Sequence, residues 1–311
     1  MIRVVQAEVS LIGRYLQQGD KEHLVDSRDH EVDGFYEDKI RSATSQALQM
    51  AESKGLDSLG LPVIPSGRQK VEPDRVARTM VSEVRRQFAL GCGLRDVTFM
   101  VENEETMTAF RDMLNRTRIV CLGDSITYGY PEGPDFSWVA VVQRATGHTF
   151  VNRGVNGETT GQMLARFHRD VVPEAPAYMI FLGGHNDGWQ KVPFSATQQN
   201  ITTLTGLALE EGICPVLGLP SPLNLEQMMQ YYQWDRREAE QYVWRLDQIR
   251  QWIAEYASAR GILTLDFYTP LLSPDLKEGD PKFLLDGGHP TREGYRILGQ
   301  SVTKQWLSFH T

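Results

Sequence analysis

Residues 118–126 read Arg-Ile-Val-Cys-Leu-Gly-Asp-Ser-Ile, an apolar run that stops at Gly123-Asp124-Ser125-Ile126. A short apolar run ended by a turn signal suits a strand buried on both faces of a sheet. Near the other end of the chain stands Asp286-Gly-Gly-His289. Together the two segments offer a nucleophile, a base and an orienting carboxylate for acyl transfer. A serine hydroxyl is a poor nucleophile until a positioned imidazole takes its proton. A carboxylate three residues before that imidazole can hold its tautomer. The segments lie far apart in sequence, so the fold has to bring them together.

Around the first segment, strand and helix patterns alternate. Strand candidates are Arg118–Leu122, Thr149–Asn152, Tyr178–Leu182, Pro215–Leu219 and Leu263–Asp266. Helical stretches lie at Phe136–Ala145, Thr160–Arg169, Ala196–Glu211, about Asp235–Arg260 and Arg292–Phe309. This order predicts a parallel α/β sheet, whose ligands gather at the carboxyl ends of the strands. Ser125, Gly157 and Asn186 each fall just beyond a predicted strand, which places three polar candidates on one rim.

The first 115 residues carry a similar alternation. Ile2–Val5 suits a short strand, and residues 14–34 are polar and read as loop or weak helix. A helical period follows through Tyr36, Ile40, Ala43, Ala47 and Met50 and ends at Gly55. Leu59–Ile64 suits a strand and Pro65–Arg68 a turn. Pro73 and Asp74 open a helix with Val76, Met80, Val84 and Phe88 on one face. Val97–Val101 is a strand candidate, and Asn103 can cap a last helix. The expected organisation is therefore a domain over 1–115 and a second over 116–311.

The chain has 311 residues, of which 41% are hydrophobic, enough for sizeable cores. Lys and Arg number 32 against 40 Asp and Glu, for a net charge of -8. With no basic stripe, an acidic chain is not expected to bind nucleic acid. Cys92, Cys121 and Cys214 are scattered and imply neither a disulfide framework nor a zinc site. The N-terminus does not read as a signal peptide, and no window reaches the ~18 apolar residues of a membrane span. A cytoplasmic protein with no membrane partner is the expectation. No Gly-x-Ser-x-Gly elbow and no paired-histidine metal motif is present. No metal and no cofactor are expected.

Four blocks occur in order: Gly123-Asp124-Ser125, Asn152-Arg-Gly-Val-Asn-Gly157-Glu-Thr159, Gly184-His185-Asn186-Asp187, and Asp286-Gly-Gly-His289 followed by Pro290. In these blocks residues 116–311 resemble the SGNH (GDSL-type) hydrolase family. The resemblance implies a flavodoxin-like, three-layer α/β/α parallel sheet. It implies Ser125 as nucleophile, His289 as base and then acid, and Asp286 as its orienting partner. It implies an oxyanion hole built from the backbone N–H groups of Ser125 and Gly157 and the side-chain amide of Asn186. Fixed donors aimed at a developing oxyanion can each contribute about 3–4 kcal/mol. Gly157 suits a close backbone approach, while Gly154 is read as permitting a turn. Asp124 and Asp187 are expected to hold loop backbone by hydrogen bonds.

His185, Trp138 and Trp189 are candidates to line the substrate pocket. Met228, Met229, Tyr231, Tyr232, Trp234, Tyr242 and Trp244 cluster in one stretch. They either pack the long helix onto the core or the N-terminal domain, or form a wall or lid over the pocket. No continuous aliphatic wall is evident, which favours a short acyl group. The expected activity is that of a serine esterase on a small O-acyl, chiefly acetyl, ester, with a carbohydrate or glycoside as one candidate alcohol. Hydrolysis would proceed through an acyl-enzyme on a small-molecule ester. An acyl thioesterase or lysophospholipase is the alternative with the same chemistry.

Residues 35–114 weakly resemble the second half of a macro domain, through the helix with small residues, the Leu61–Gly67 loop, the Val76–Phe88 helix and the strand and helix after it. The resemblance implies an accessory, truncated macro-like α/β domain. The chain before residue 35 is short for the ADP-ribose loop of such domains, and loop 65–68 has a single glycine, so lost nucleotide binding is expected. Such a domain could serve as a scaffold, a homodimer surface or a wall of the cleft. A module that binds ADP-ribose or a protein partner is the alternative of another class.

Overall fold

A computed structural model describes residues 1–6, 33–63, 71–275 and 277–309. The expected turn at 65–68, most of loop 61–67, the stretch 14–32 and the Tyr36 side chain lie outside the described residues. The chain divides into two compact units, Met1–Arg116 with Leu209–Cys214, and Thr117–Ala208 with Pro215–Thr311.

The first unit holds β1 (Ile2–Gln6), α1 (Asp33–Ser53), β2 (Ser58–Pro62), α2 (Pro73–Ala89), β3 (Asp96–Val101) and α3 (Glu104–Leu114). Its three strands run in the order β1-β3-β2, with both outer strands parallel to β3. β3 is central because Val97, Phe99 and Val101 are all fully buried. Phe99 meets Phe110 of α3 at 4.7 Å between ring centroids. Asn103 caps α3 by accepting from Thr106 N–H at 2.8 Å. At the other end of α3, Arg85 Nη2 donates to the carbonyls of Met113, Leu114 and Arg116. A guanidinium there satisfies carbonyls that have no helical partner.

The second unit continues with β4 (Ile119–Gly123), α4 (Ser125–Tyr128), α5 (Trp138–Thr146), β5 (Phe150–Gly154), α6 (Thr160–Ala165), α7 (Phe167–Asp170) and β6 (Tyr178–Leu182). It then runs through α8 (His185–Trp189), α9 (Phe194–Glu210), β7 (Cys214–Leu219), α10 (Leu225–Tyr232), α11 (Arg236–Arg260), β8 (Leu263–Asp266) and α12 (Arg292–Ser308). The sheet order is β5-β4-β6-β7-β8. β4 is parallel to both neighbours, and Gly123 stands level with Gly154 and Leu182. Every residue of β4 and β6 is buried, as their unbroken apolar runs require.

Trp138 departs from expectation. It is fully buried at the start of α5 and meets Phe267 edge-on at 4.9 Å. It belongs to the core and not to the substrate pocket. The position follows from the N-cap Ser137, whose hydroxyl accepts from Ala140 N–H and starts the helix with its first residue facing inward. Gly154 also differs: it ends β5 in ordinary extended pairing. Its missing side chain matters for close approach, because a Cβ there would lie 2.1 Å from the backbone nitrogen of Tyr128.

Replacing Gly154 with alanine therefore pushes on α4 through backbone atoms. The expected cost is about 1–3 kcal/mol, measured as a lower thermal midpoint by calorimetry. An unchanged midpoint would show that α4 yields freely.

Candidate active site

The turn from β4 into α4 is built around Asp124. Its Oδ1 accepts from Ile126 N–H at 2.9 Å and caps the four-residue helix. Asn152 holds the far end of that helix, its amide donating to Thr127 O at 2.7 Å while its own Oδ1 accepts from Gly154 N–H. Tyr295 of α12 adds a bond from its hydroxyl to Tyr130 O at 2.9 Å. Ser125 is thus the first residue of a helix tied at both ends to the sheet.

His289 reaches Ser125 from a turn 164 residues away. Its Nε2 lies 2.9 Å from Ser125 Oγ. Its Nδ1 lies 2.7 Å from Asp286 Oδ2. With Nδ1–H donating a hydrogen bond to the carboxylate, Nε2 is the acceptor for the serine hydroxyl. Asp286 is 3% exposed, and its Oδ1 also accepts from Gly288 N–H at 3.0 Å and His289 N–H at 2.8 Å. Burial by itself would push this carboxyl up. The bond and the charge of His289, with the donors around it, outweigh burial and hold it well below the usual carboxylate range.

A cavity of about 150 Å³ opens at this point, lined by Ser125, Ile126, His185, Asn186, Trp189, Met228, Tyr232, Tyr242, Gly288 and His289. The structure thus brings His185, Asn186 and Trp189 to the nucleophile and leaves Trp138 away from it. His185 sits between two hydroxyls, Tyr242 Oη at 3.3 Å from Nδ1 and Ser221 Oγ at 3.1 Å from Nε2. Burial, assisted by the charges of Arg250 and His289, depresses its pKa to about 3, so it is a neutral wall at neutral pH. A larger depression of about 380 Å³ between Leu223, Trp244, Tyr268 and Glu278 holds neither nucleophile nor base.

Gly157 is exposed and adopts φ +81°, a conformation that favours glycine. It is not among the residues lining the cavity. A Cβ there would meet nothing, so backbone conformation rather than space calls for glycine. Its loop is tied to α8 by two bonds: Gln190 Nε2 to Gly157 O at 3.2 Å, and Asn186 Nδ2 to Glu158 O at 2.9 Å. The second bond takes one of the two N–H groups of the Asn186 amide. Asp187 accepts from Thr160 N–H, Thr160 Oγ1–H and Thr197 Oγ1–H, and fastens α8 to the starts of α6 and α9.

Sequence reasoning missed two features of this site. Arg166, 4% exposed, donates to Gly123 O and Arg153 O and pairs with Glu158 and Asp170, which clamps the carboxyl ends of β4 and β5 to the Gly157 loop. Tyr232 donates its hydroxyl to Asp286 Oδ2 at 2.7 Å. The first has no motif that would reveal it. For the second, the four-residue spacing of Met228 and Tyr232 puts both on one face of α10 but does not say what that face meets. The aromatic stretch is divided: Met228, Tyr232 and Tyr242 face the cavity, whereas Tyr231 and Trp244 are each 59% exposed.

Residues 121–297 match the GDSL-like Lipase/Acylhydrolase family. An arylesterase of Vibrio mimicus is 27% identical over 100 residues, 30% of this chain and 50% of the relative. Esterase TesA of Pseudomonas aeruginosa is 29% identical over 112 residues, 34% of this chain and 56% of the relative. The chain spans about half the length of these curated relatives. The structure of a G-D-S-L family protein from Desulfitobacterium hafniense is 29% identical with a TM-score of 0.53, covering 61% of this chain and 99% of the other.

Asp124 generates a pH-dependence. Burial, against the opposing bond from Ile126 N–H and the charge of His289, pushes its carboxyl up to about 7. Its stabilising, protonated form is fully present below the unfolded-state value near ~4 and is lost as pH rises through about 7. Asp124→Asn keeps the Oδ1 acceptor and cannot ionise. Between pH 4 and 8 the unmodified protein should lose at least ~1 kcal/mol, about 2–4 °C, relative to this variant. Parallel melting curves across that range would refute the assignment.

Proposed function

The chain belongs to the GDSL-like lipase/acylhydrolase family, and from that premise we propose that it is a serine esterase acting on small O-acyl esters through Ser125, His289 and Asp286. The observation that carries this reading is the continuous line of contacts at 2.9 and 2.7 Å from Ser125 Oγ through His289 to Asp286, opening on the cavity. Ser125 Oγ attacks the acyl carbonyl as His289 Nε2 takes its proton. The oxyanion receives the N–H groups of Ser125 and Gly157 and the second amide N–H of Asn186. The bonds that tie loop 157–158 to α8 support the pairing of the last two donors. His289 then returns the proton to the departing alcohol. In the second half-reaction it activates water, which releases the acid from the acyl-enzyme.

A short acyl group is supported by size and polarity. The cavity is about 150 Å³, below the ~300–1,000 Å³ of pockets for drug-sized ligands. His185 and Tyr242 close it with polar groups, which disfavours a long aliphatic chain. Trp189, Tyr232 and Trp234 pack against one another beside it, Trp189 edge-on to Tyr232 and tilted against Trp234 with centroids 4.3 Å apart. Such rings accept a flat aryl or sugar alcohol. For the first unit we retain the role of an accessory macro-like scaffold, supported by its three-stranded parallel sheet with helices.

Ser125→Ala is expected to abolish turnover of p-nitrophenyl acetate, and His289→Ala to lower kcat at least ~10³-fold. Full activity of the serine variant in pure protein would end this assignment. Across p-nitrophenyl esters, kcat/KM should fall from C2 to C12; a steady rise would favour the thioesterase or lysophospholipase reading. Calorimetry with ADP-ribose at millimolar concentration should give no heat, and a saturable signal would restore a ligand-binding role for the first unit.

A further inference from the structure

We propose that Tyr232 is a positioning residue, whose phenol shares Asp286 Oδ2 with His289 and thereby sets how strongly the carboxylate holds the imidazole. This rests on the serine-esterase reading above and extends it to a residue outside the motif blocks.

Asp286 Oδ2 has two donors at the same distance, His289 Nδ1 and Tyr232 Oη, each at 2.7 Å. An oxygen with two lone pairs is then fully used. The phenol remains a donor, because burial and the adjacent Asp286 raise its pKa well above the ordinary value. Each bond draws charge from the oxygen, so Tyr232 weakens the attraction of Asp286 for a protonated His289.

The contact is also built in. Tyr232 ends α10, and three residues tie α10 to the segment that carries Asp286. Asn224 donates its N–H to Gly287 O and its amide to Gly279 O, both at 2.8 Å. Gln227 Nε2 donates to Pro281 O and Leu284 O, both at 3.1 Å. Tyr232 completes the set at the carboxylate. Its ring meets Trp189 edge-on at 4.8 Å and lines the cavity, so one side chain touches both the substrate space and the carboxylate.

The other groups around His289 remain in place when only the phenol oxygen is removed. Around His289 these are Tyr130, with its ring 4.8 Å away, Asp124 at the end of β4 and His185 on α8; Tyr242 on α11 and Tyr295 on α12 act on Asp286, and Asp187 on α8 acts on Asp124. The residue acts through Asp286, so removing the hydroxyl should change proton affinity at the imidazole more than the chemistry itself.

The test is the imidazole titration of His289 by NMR, assigned by the loss of its signal in His289→Gln, alongside the pH profile of kcat/KM. In Tyr232→Phe both midpoints should move up together by about 0.5–1 unit. Site-specific 3-fluorotyrosine at position 232, a stronger donor, should move them down. Tyr231→Phe, an exposed neighbour, should move neither. Unchanged NMR midpoints in both position-232 variants, or an equal shift in Tyr231→Phe, would overturn the proposal. A loss of kcat equal at every pH, with no shift, would show a merely structural role and overturn it too. If Tyr232→Phe fails to fold, the fluorotyrosine shift decides alone. The titration needs no substrate, so a failure of the esterase reading, seen as an active Ser125→Ala, is separable from a failure of this one.

Discussion

A carboxylate taken out of water keeps its charge only if donors replace the water, and Asp286 meets that constraint with four bonds. Two come from the backbone N–H groups of Gly288 and His289, one from the His289 imidazole and one from the Tyr232 hydroxyl. An isolated buried charge would cost several kcal/mol or force protonation. Much of the local architecture follows. The turn after Asp286 has to fold back to present two N–H groups, and that fold carries the histidine ring to the carboxylate. α10 has to lie beside the turn to deliver the phenol.

The nucleophile is positioned by a different means. Gly123 and Gly154 stand level on adjacent strands, and the absence of a side chain at Gly154 lets α4 settle onto the sheet. Asn152 and Asp124 then satisfy the two ends of this short helix. Arg166 ties the same strand ends to the Gly157 loop. The two halves of the site are held by separate networks, one at the sheet edge and one around a buried carboxylate. They meet at the hydrogen bond between Ser125 and His289, beside which the Tyr130 ring lies against the imidazole.

Much of this was legible in the residues. The five strands of the second unit appear where apolar runs end in Gly or polar residues, because a sheet covered on both faces needs such runs. Asp124 and Asp187 do hold backbone, as short carboxylates after strands commonly do. Trp138 shows the limit. It lies close in sequence to Ser125, but the Ser137 cap starts a helix whose first side chain turns into the core. Proximity along the chain does not reveal which side of an element a residue occupies. Gly154 shows the same limit, since the demand for glycine there comes from the Tyr128 backbone, 26 residues earlier.

By itself the sequence determined the alternating α/β pattern, the four motif blocks and the residue types able to move a proton. These are local properties, carried by hydrophobic period, caps and spacing. Only the tertiary structure decided that Tyr232 faces Asp286, that Arg166 spans two strand ends and that the aromatic stretch divides between cavity and solvent. Those contacts join segments dozens of residues apart, and their geometry depends on how whole elements pack. No local pattern encodes the distance between a phenol on one helix and a carboxylate on a distant turn.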